Sequence, residues 1–103
     1  MKANLKHTSN HNIDYLIVGL GNPKLEYFNN RHNIGFSIVQ RIVAKKNLQV
    51  FDKTKYYILY LDESNNHRIL YALPLTYMNA SGIAIRKIIA KYQTPIEKVV
   101  VIV

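Results

Sequence analysis

One histidine, His32, stands between Arg31 and Asn33, thirteen residues after the first glycine of a strand-like run, YLIVGLG, that gives out into Asn22-Pro23. An apolar stripe of helical spacing begins at Ile34, so His32 falls just before a helix start. The positive end of a helix dipole disfavours an imidazolium. A ring kept neutral near pH 7 is in the state a general base needs. A second reading is structural: the ring hydrogen-bonds a backbone group and closes the loop. The pattern by itself leans to that second reading. No serine or cysteine occupies a nucleophile elbow, and Glu26 is the one acid nearby. The least demanding chemistry is then a histidine-activated water attacking an electrophile, with Asn22 and Asn79 as neutral donors to the developing oxyanion. Each asparagine also has a plainer role, Asn22 in a proline turn and Asn79 near a helix cap. Met78 reads as a core filler. His7 and His11 lie four apart, a spacing that holds a metal on a helix, but in a polar tail they read as solvated side chains.

The elements that must position these residues are legible from periodicity. Residues 14 to 20, DYLIVGL, form a continuous apolar run of strand length, the pattern of a strand buried on both faces. Ile34, Ile38, Val39, Ile42 and Val43 lie on one stripe of a helix over 34–46, with Asn33 as its N-cap. KYYILYLD at 55–62 and HRILYALP at 67–74 read as strands joined by a hairpin loop at Glu63–Asn66. A second helix runs from Gly82 to Gln93, its apolar face made by Ile85, Ile88, Ile89 and Tyr92, and Pro95 marks its exit. KVVVIV at the end reads as another buried strand. The order β-α-β-β-α-β predicts an α/β fold, a mixed central sheet with helices on both faces, incomplete at the C-terminus. Residues 1–13 read as a flexible basic extension and 14–103 as part of one domain. Sites in such sheets gather at the carboxyl ends of strands, where 22–32 and 74–79 fall.

Bulk composition bounds the function. The 103 residues hold one domain at most, and 49% of them are apolar, which excludes a disordered chain. Fourteen Lys and Arg stand against six Asp and Glu, a net charge of +8, which favours a polyanionic partner. There is no cysteine, hence no thiol nucleophile and no cysteine zinc site. The polar start is no signal peptide, and no apolar run nears the ~20 residues of a membrane span. A cytoplasmic address is expected, with no cofactor, no metal and no membrane.

Two blocks carry a more specific message: LIVGLGNPKLEYFNNRHNIGF, and then LPLTYMNASG. Together, in this order and with a β-β segment between them, they closely resemble the bacterial-type peptidyl-tRNA hydrolases, whose pattern is GLGNPG-x-x-Y-x-x-TRHN-x-G followed by P-x-[TS]-[FY]-MN-x-SG. The resemblance covers Tyr15 to Val103. It implies hydrolysis of the ester that joins a peptide to the 3′-terminal ribose of tRNA. It further implies His32 as the base that activates water and Asn22 as the residue that tells N-blocked peptidyl-tRNA from aminoacyl-tRNA. By the same resemblance Asn79 holds substrate, Tyr27 and Tyr77 line the site, and Met78 supports Asn79. The partner is then peptidyl-tRNA, at its CCA end and peptide, and a full-length protein is expected to be monomeric.

The sequence departs from the pattern at Lys24, where the family has glycine, and at Asn30, where it has threonine. Lysine is strained if position 24 needs a positive φ. Family members run well past the point where this chain stops. Beyond it they carry a His-Asp-x-Leu-Asp segment, whose aspartate orients the catalytic histidine, a glycine-rich loop with a further asparagine, and a basic region that grips tRNA. The chain as given therefore reads as cut short and inactive alone, or as a tRNA-binding half-domain. If it is active, Glu26 or Asp14 is expected to orient His32.

Overall fold

The computed structural model describes residues 13–21, 34–76 and 80–103. Five strands form one mixed sheet in the order β2-β3-β4-β1-β5. The strands are β1 (Tyr15–Gly19), β2 (Val50–Lys53), β3 (Tyr57–Ser64), β4 (His67–Pro74) and β5 (Val99–Ile102), and the helices are α1 (Ile34–Lys46) and α2 (Ser81–Tyr92). β1 runs parallel to β4 on one side and to β5 on the other. β2, β3 and β4 form an antiparallel ribbon.

The apolar runs dictate two core layers. Leu16, Val18, Leu59, Leu70 and Ala72 face one side, where Ala84 and Ile88 of α2 cover them. Tyr71 and Leu73 face the other side, under Phe36, Val39 and Val43 of α1. Strand side chains alternate between faces, so a continuous run such as LIV serves both layers. That is the expected α/β sheet with a helix on each face.

Local chemistry sets the element ends. At the end of α1, Asn47 adopts φ 56°, and the amides of Asn47 and Leu48 bond back to Ala44 and Val43. This is a Schellman ending, with half-buried Leu48 packing on the same cluster as Val43. Gln93 ends α2 with φ 51°. Asn65 and Asn66, at φ 54° and 64°, make the β3–β4 turn. Both central residues of a type I′ turn need positive φ, which asparagine tolerates.

Three expectations need correction. β2 was not foreseen: Val50–Lys53 has one apolar pair and no alternation, and becomes a strand by pairing with β3. The element order is therefore β-α-β-β-β-α-β. The foreseen four-residue hairpin loop shrinks to two, because Glu63 and Ser64 pair with Arg68 and His67. β5 is not a buried strand but a sheet edge, with Val100 and Val101 44% and 42% exposed on opposite faces.

Candidate active-site rim at the ends of β1 and β4

Neighbouring parallel strands β1 and β4 both point their carboxyl ends to one rim of the sheet. The chain leaves β1 towards α1 on one face and leaves β4 towards α2 on the other. A crevice opens in α/β sheets where successive connections depart to opposite faces. Segments 22–33 and 77–79 begin and end at this rim. Asn22, Tyr27 and His32, with Glu26, lie on the first; Tyr77, Met78 and Asn79 lie on the second. All of them, and the 1–12 part of the extension with His7 and His11, lie outside the described residues. What the structure supplies is the frame that holds both segments.

That frame is tight at the first segment. The Phe36 amide donates to the Leu20 carbonyl at 2.9 Å, and the Leu20 amide donates to the Ile102 carbonyl at 2.9 Å. The start of α1 is thus fastened to the ends of β1 and β5. Two glycines allow the approach. A Cβ on Gly19 would meet the Gly35 carbonyl oxygen and come within 2.6 Å of Val39 Cγ2. A Cβ on Gly35 would meet the Ile102 carbonyl oxygen and lie 2.6 Å from its carbonyl carbon. Neither backbone atom can yield cheaply, so both positions require glycine.

The second segment is bounded by two buried hydroxyls. Thr76 Oγ1 and Ser81 Oγ have no hydrogen-bond partner among the described residues, and Ser81 is 4% exposed. A buried hydroxyl without a partner is costly, and this pair brackets the four residues 77–80, which include Tyr77 and Asn79. Ala80, the N-cap of α2, makes no side-chain capping bond.

Asp14 is excluded as an orienter of this rim. It precedes β1, at the opposite end of the sheet. Its Oδ2 accepts the Arg68 amide at 2.7 Å and lies 3.7 Å from His67 Nδ1.

A polar cluster unforeseen from the sequence sits on β2. Asp52 Oδ2 accepts from the Tyr92 hydroxyl at 2.7 Å, the Tyr57 hydroxyl at 3.0 Å and Lys91 Nζ at 3.0 Å. Burial pushes the Asp52 carboxyl up, but the hydrogen bonds from Tyr92, Lys91 and Tyr57 outweigh it and hold the group below its ordinary value. Burial, then the Asp52 hydrogen bond and charge, push Tyr57 up to about 12. The same causes raise Tyr92. No periodic signal links positions 35 to 40 residues apart, which is why the cluster was not legible. Among the described residues no group of three or more His, Cys, Asp or Glu has the arrangement of a metal site. Nor is any helix among them long and apolar enough to cross a membrane.

The rim and its two opposed helices define an α/β protein of the class whose sites are built from loops at strand carboxyl ends. A family model described as peptidyl-tRNA hydrolase matches residues 16–103, and this chain belongs to that family. A peptidyl-tRNA hydrolase of Onion yellows phytoplasma is 43% identical over 88 residues, covering 85% of this chain and 47% of the relative. One of Clostridium novyi is 44% identical over 89 residues with the same coverage. The crystal structure of the Arg119Gln mutant of peptidyl-tRNA hydrolase from Acinetobacter baumannii superposes with a TM-score of 0.77 at 36% identity, covering 87% of this chain and 46% of that one. The chain spans about half the length of the relatives it matches.

Proposed function

We propose that this chain carries the water-activating part of a site that hydrolyses the ester between peptide and tRNA in peptidyl-tRNA. The observation behind this is that the strands leading into both motif-bearing segments, β1 and β4, are adjacent and parallel and end at one rim, in a chain that matches the family along 16–103. In the proposed reaction neutral His32 takes a proton from water as the hydroxide oxygen bonds to the ester carbonyl carbon. Asn79 and Asn22 donate to the oxygen that gains charge. The carbon–oxygen bond to the tRNA ribose then breaks, and the imidazolium returns the proton to the departing oxygen. Free peptide and free tRNA result, with no metal and no covalent enzyme intermediate. Tyr27 and Tyr77 line the site, Met78 supports Asn79, and Glu26 is the remaining candidate within this chain to orient His32. Peptidyl-tRNA as partner, a monomeric full-length protein and a cytoplasmic address follow from the same reading.

A second reading has its own support. β5 is an apolar sheet edge, and the chain spans about half of its relatives. On this reading the 103-residue polypeptide holds the tRNA end without turning it over. One assay separates the two. Hydrolysis of N-blocked aminoacyl-tRNA is measured for the 103-residue chain and for residues 14–103 joined to the C-terminal half of the Onion yellows phytoplasma relative. Turnover by the chimera and more than about tenfold less by the short chain, roughly 1.4 kcal/mol of barrier, establishes the ester reaction and assigns the short chain to binding. Equal turnover removes the second reading, and an inactive, folded chimera removes the first.

A further inference from the structure

Resting on the reading that the ligand is a tRNA, we infer that the cleft between the β2–β3 turn and α2 is a second contact for the RNA, one that grips backbone phosphate away from the ester. The cleft holds about 520 Å³ and is walled by Thr54, Tyr56 and Tyr57 on one side and Lys87, Ala90 and Lys91 on the other. That volume lies within the range of small-ligand clefts, about 300–1,000 Å³.

Its charge is what selects an anion. Lys91 is neutralised by Asp52 at 3.0 Å and also offsets the negative end of α2. Asp52 Oδ2 already accepts from three donors, Lys91 among them. Lys87 and Lys55 have no acidic partner among the described residues. Their ammonium groups lie 4.5 Å and 5.4 Å from the centroid of the Tyr56 ring instead. One half-buried ring thus gathers two unneutralised cations, about 10 Å apart at most, at the mouth of a cleft. A ring face holds a cation weakly compared with a phosphate oxygen, so both lysines are free to transfer to an incoming anion.

Position ties the cleft to the rim. The Leu75 amide donates to the Tyr56 carbonyl at 2.8 Å, and Tyr57 pairs with Pro74. The turn bearing Tyr56 therefore abuts the strand end that leads into 77–79. This puts the cleft within reach of an RNA whose end lies at the rim. An acidic peptide offers the same charge, but the net +8 of the chain favours a polyanion such as RNA.

The test is a titration of the 103-residue chain with an unmodified tRNA transcript, followed by fluorescence anisotropy over a range of salt. The Lys55→Gln, Lys87→Gln double variant is expected to lower the slope of log affinity against log salt by about 1 to 2. At ~0.1 M salt it should bind about tenfold or more weakly. Arginine at both positions should retain the slope. Lys98→Gln, at the opposite end of the sheet, should leave it within error. Circular dichroism melts confirm that each variant is folded. An unchanged slope in the double variant, an equal loss from Lys98→Gln, or no binding by the parent chain at low salt would overturn the inference, and so would equal affinity for an acidic peptide of matched charge. Hydrolysis by the chimera with an unchanged slope refutes the cleft and leaves the ester reaction standing. A folded, inactive chimera whose slope still depends on the two lysines does the reverse.

Discussion

His32 is the residue on which the proposed chemistry turns. In the chimera, His32→Ala should lower turnover of N-blocked aminoacyl-tRNA by about 10²–10⁴-fold, the usual cost of losing a general base, while tRNA affinity stays within about twofold. Near-parent turnover in that variant would reduce His32 to a loop residue. Asp52 offers a different kind of test, because its role is structural. Replacing Tyr92 by Phe removes a hydrogen bond to a carboxylate and should cost about 1.5–3 kcal/mol in urea unfolding at pH 7. The pH dependence has a definite sign. The folded-state carboxyl of Asp52 is depressed, so its contribution is present above the ordinary carboxylate value and fades as pH falls through the lower folded value. Asp52→Asn should therefore destabilise most near neutrality, with the gap from the parent closing in acid. At the alkaline end Tyr57 behaves oppositely. Its pKa is raised to about 12, so its contribution holds below about 10 and is lost as pH rises through 12. A parent chain and an Asp52→Asn variant of equal stability at pH 7 would contradict this picture.

At the scale of elements, the start of α1 is the most constrained junction. Gly35 has backbone on two sides, and an added methyl group meets the Ile102 carbonyl. Gly35→Ala should cost about 3 kcal/mol, at the upper end of overpacking effects, and lower the melting temperature by more than Gly82→Ala. Gly82 is exposed and its nearest neighbour would be a flexible Arg86 guanidinium nitrogen at 3.5 Å, so alanine there should be neutral or mildly stabilising. Equal melting temperatures for the two variants would show that α1 can shift away from β5 at little cost. The turn at Asn65–Asn66 and the ending at Asn47 show the same logic in reverse, since residues tolerant of positive φ sit where the chain must reverse.

Across the whole molecule, the two sheet edges differ. β2 is short, and the Asp52 cluster ties it to α2. Among the described residues β5 pairs on one side only, and it exposes Val100 and Val101 on its two faces. An apolar, unpaired edge is a template for further pairing. The 103-residue chain should self-associate in sedimentation velocity as its concentration rises. Val101→Lys should suppress that association, because a charge on an edge strand resists addition of another strand. A parent chain that stays monomeric at high concentration would show that the edge is protected by other means.

Much of this architecture could be read from the sequence. The apolar runs at 14–20 and 67–74, and the helical stripes at 34–46 and 82–93, sit where β1, β4, α1 and α2 formed, because long buried elements must present a periodic apolar face. The family resemblance was legible in two short blocks of particular residue types, borne out by the family match over 16–103. β2 was not legible, because a four-residue strand takes its conformation from its neighbour rather than from its own pattern. The open edge at the last strand was expected from a run that stops where it does, but KVVVIV reads the same at the centre of a sheet or at its edge, and strand order decides which faces are exposed. The Asp52 cluster and the Lys55–Tyr56–Lys87 cleft depend on side chains brought together from distant positions in the chain. Local sequence sets which conformation each segment prefers, but which charges end up beside one another is a property of the packed sheet and helix alone.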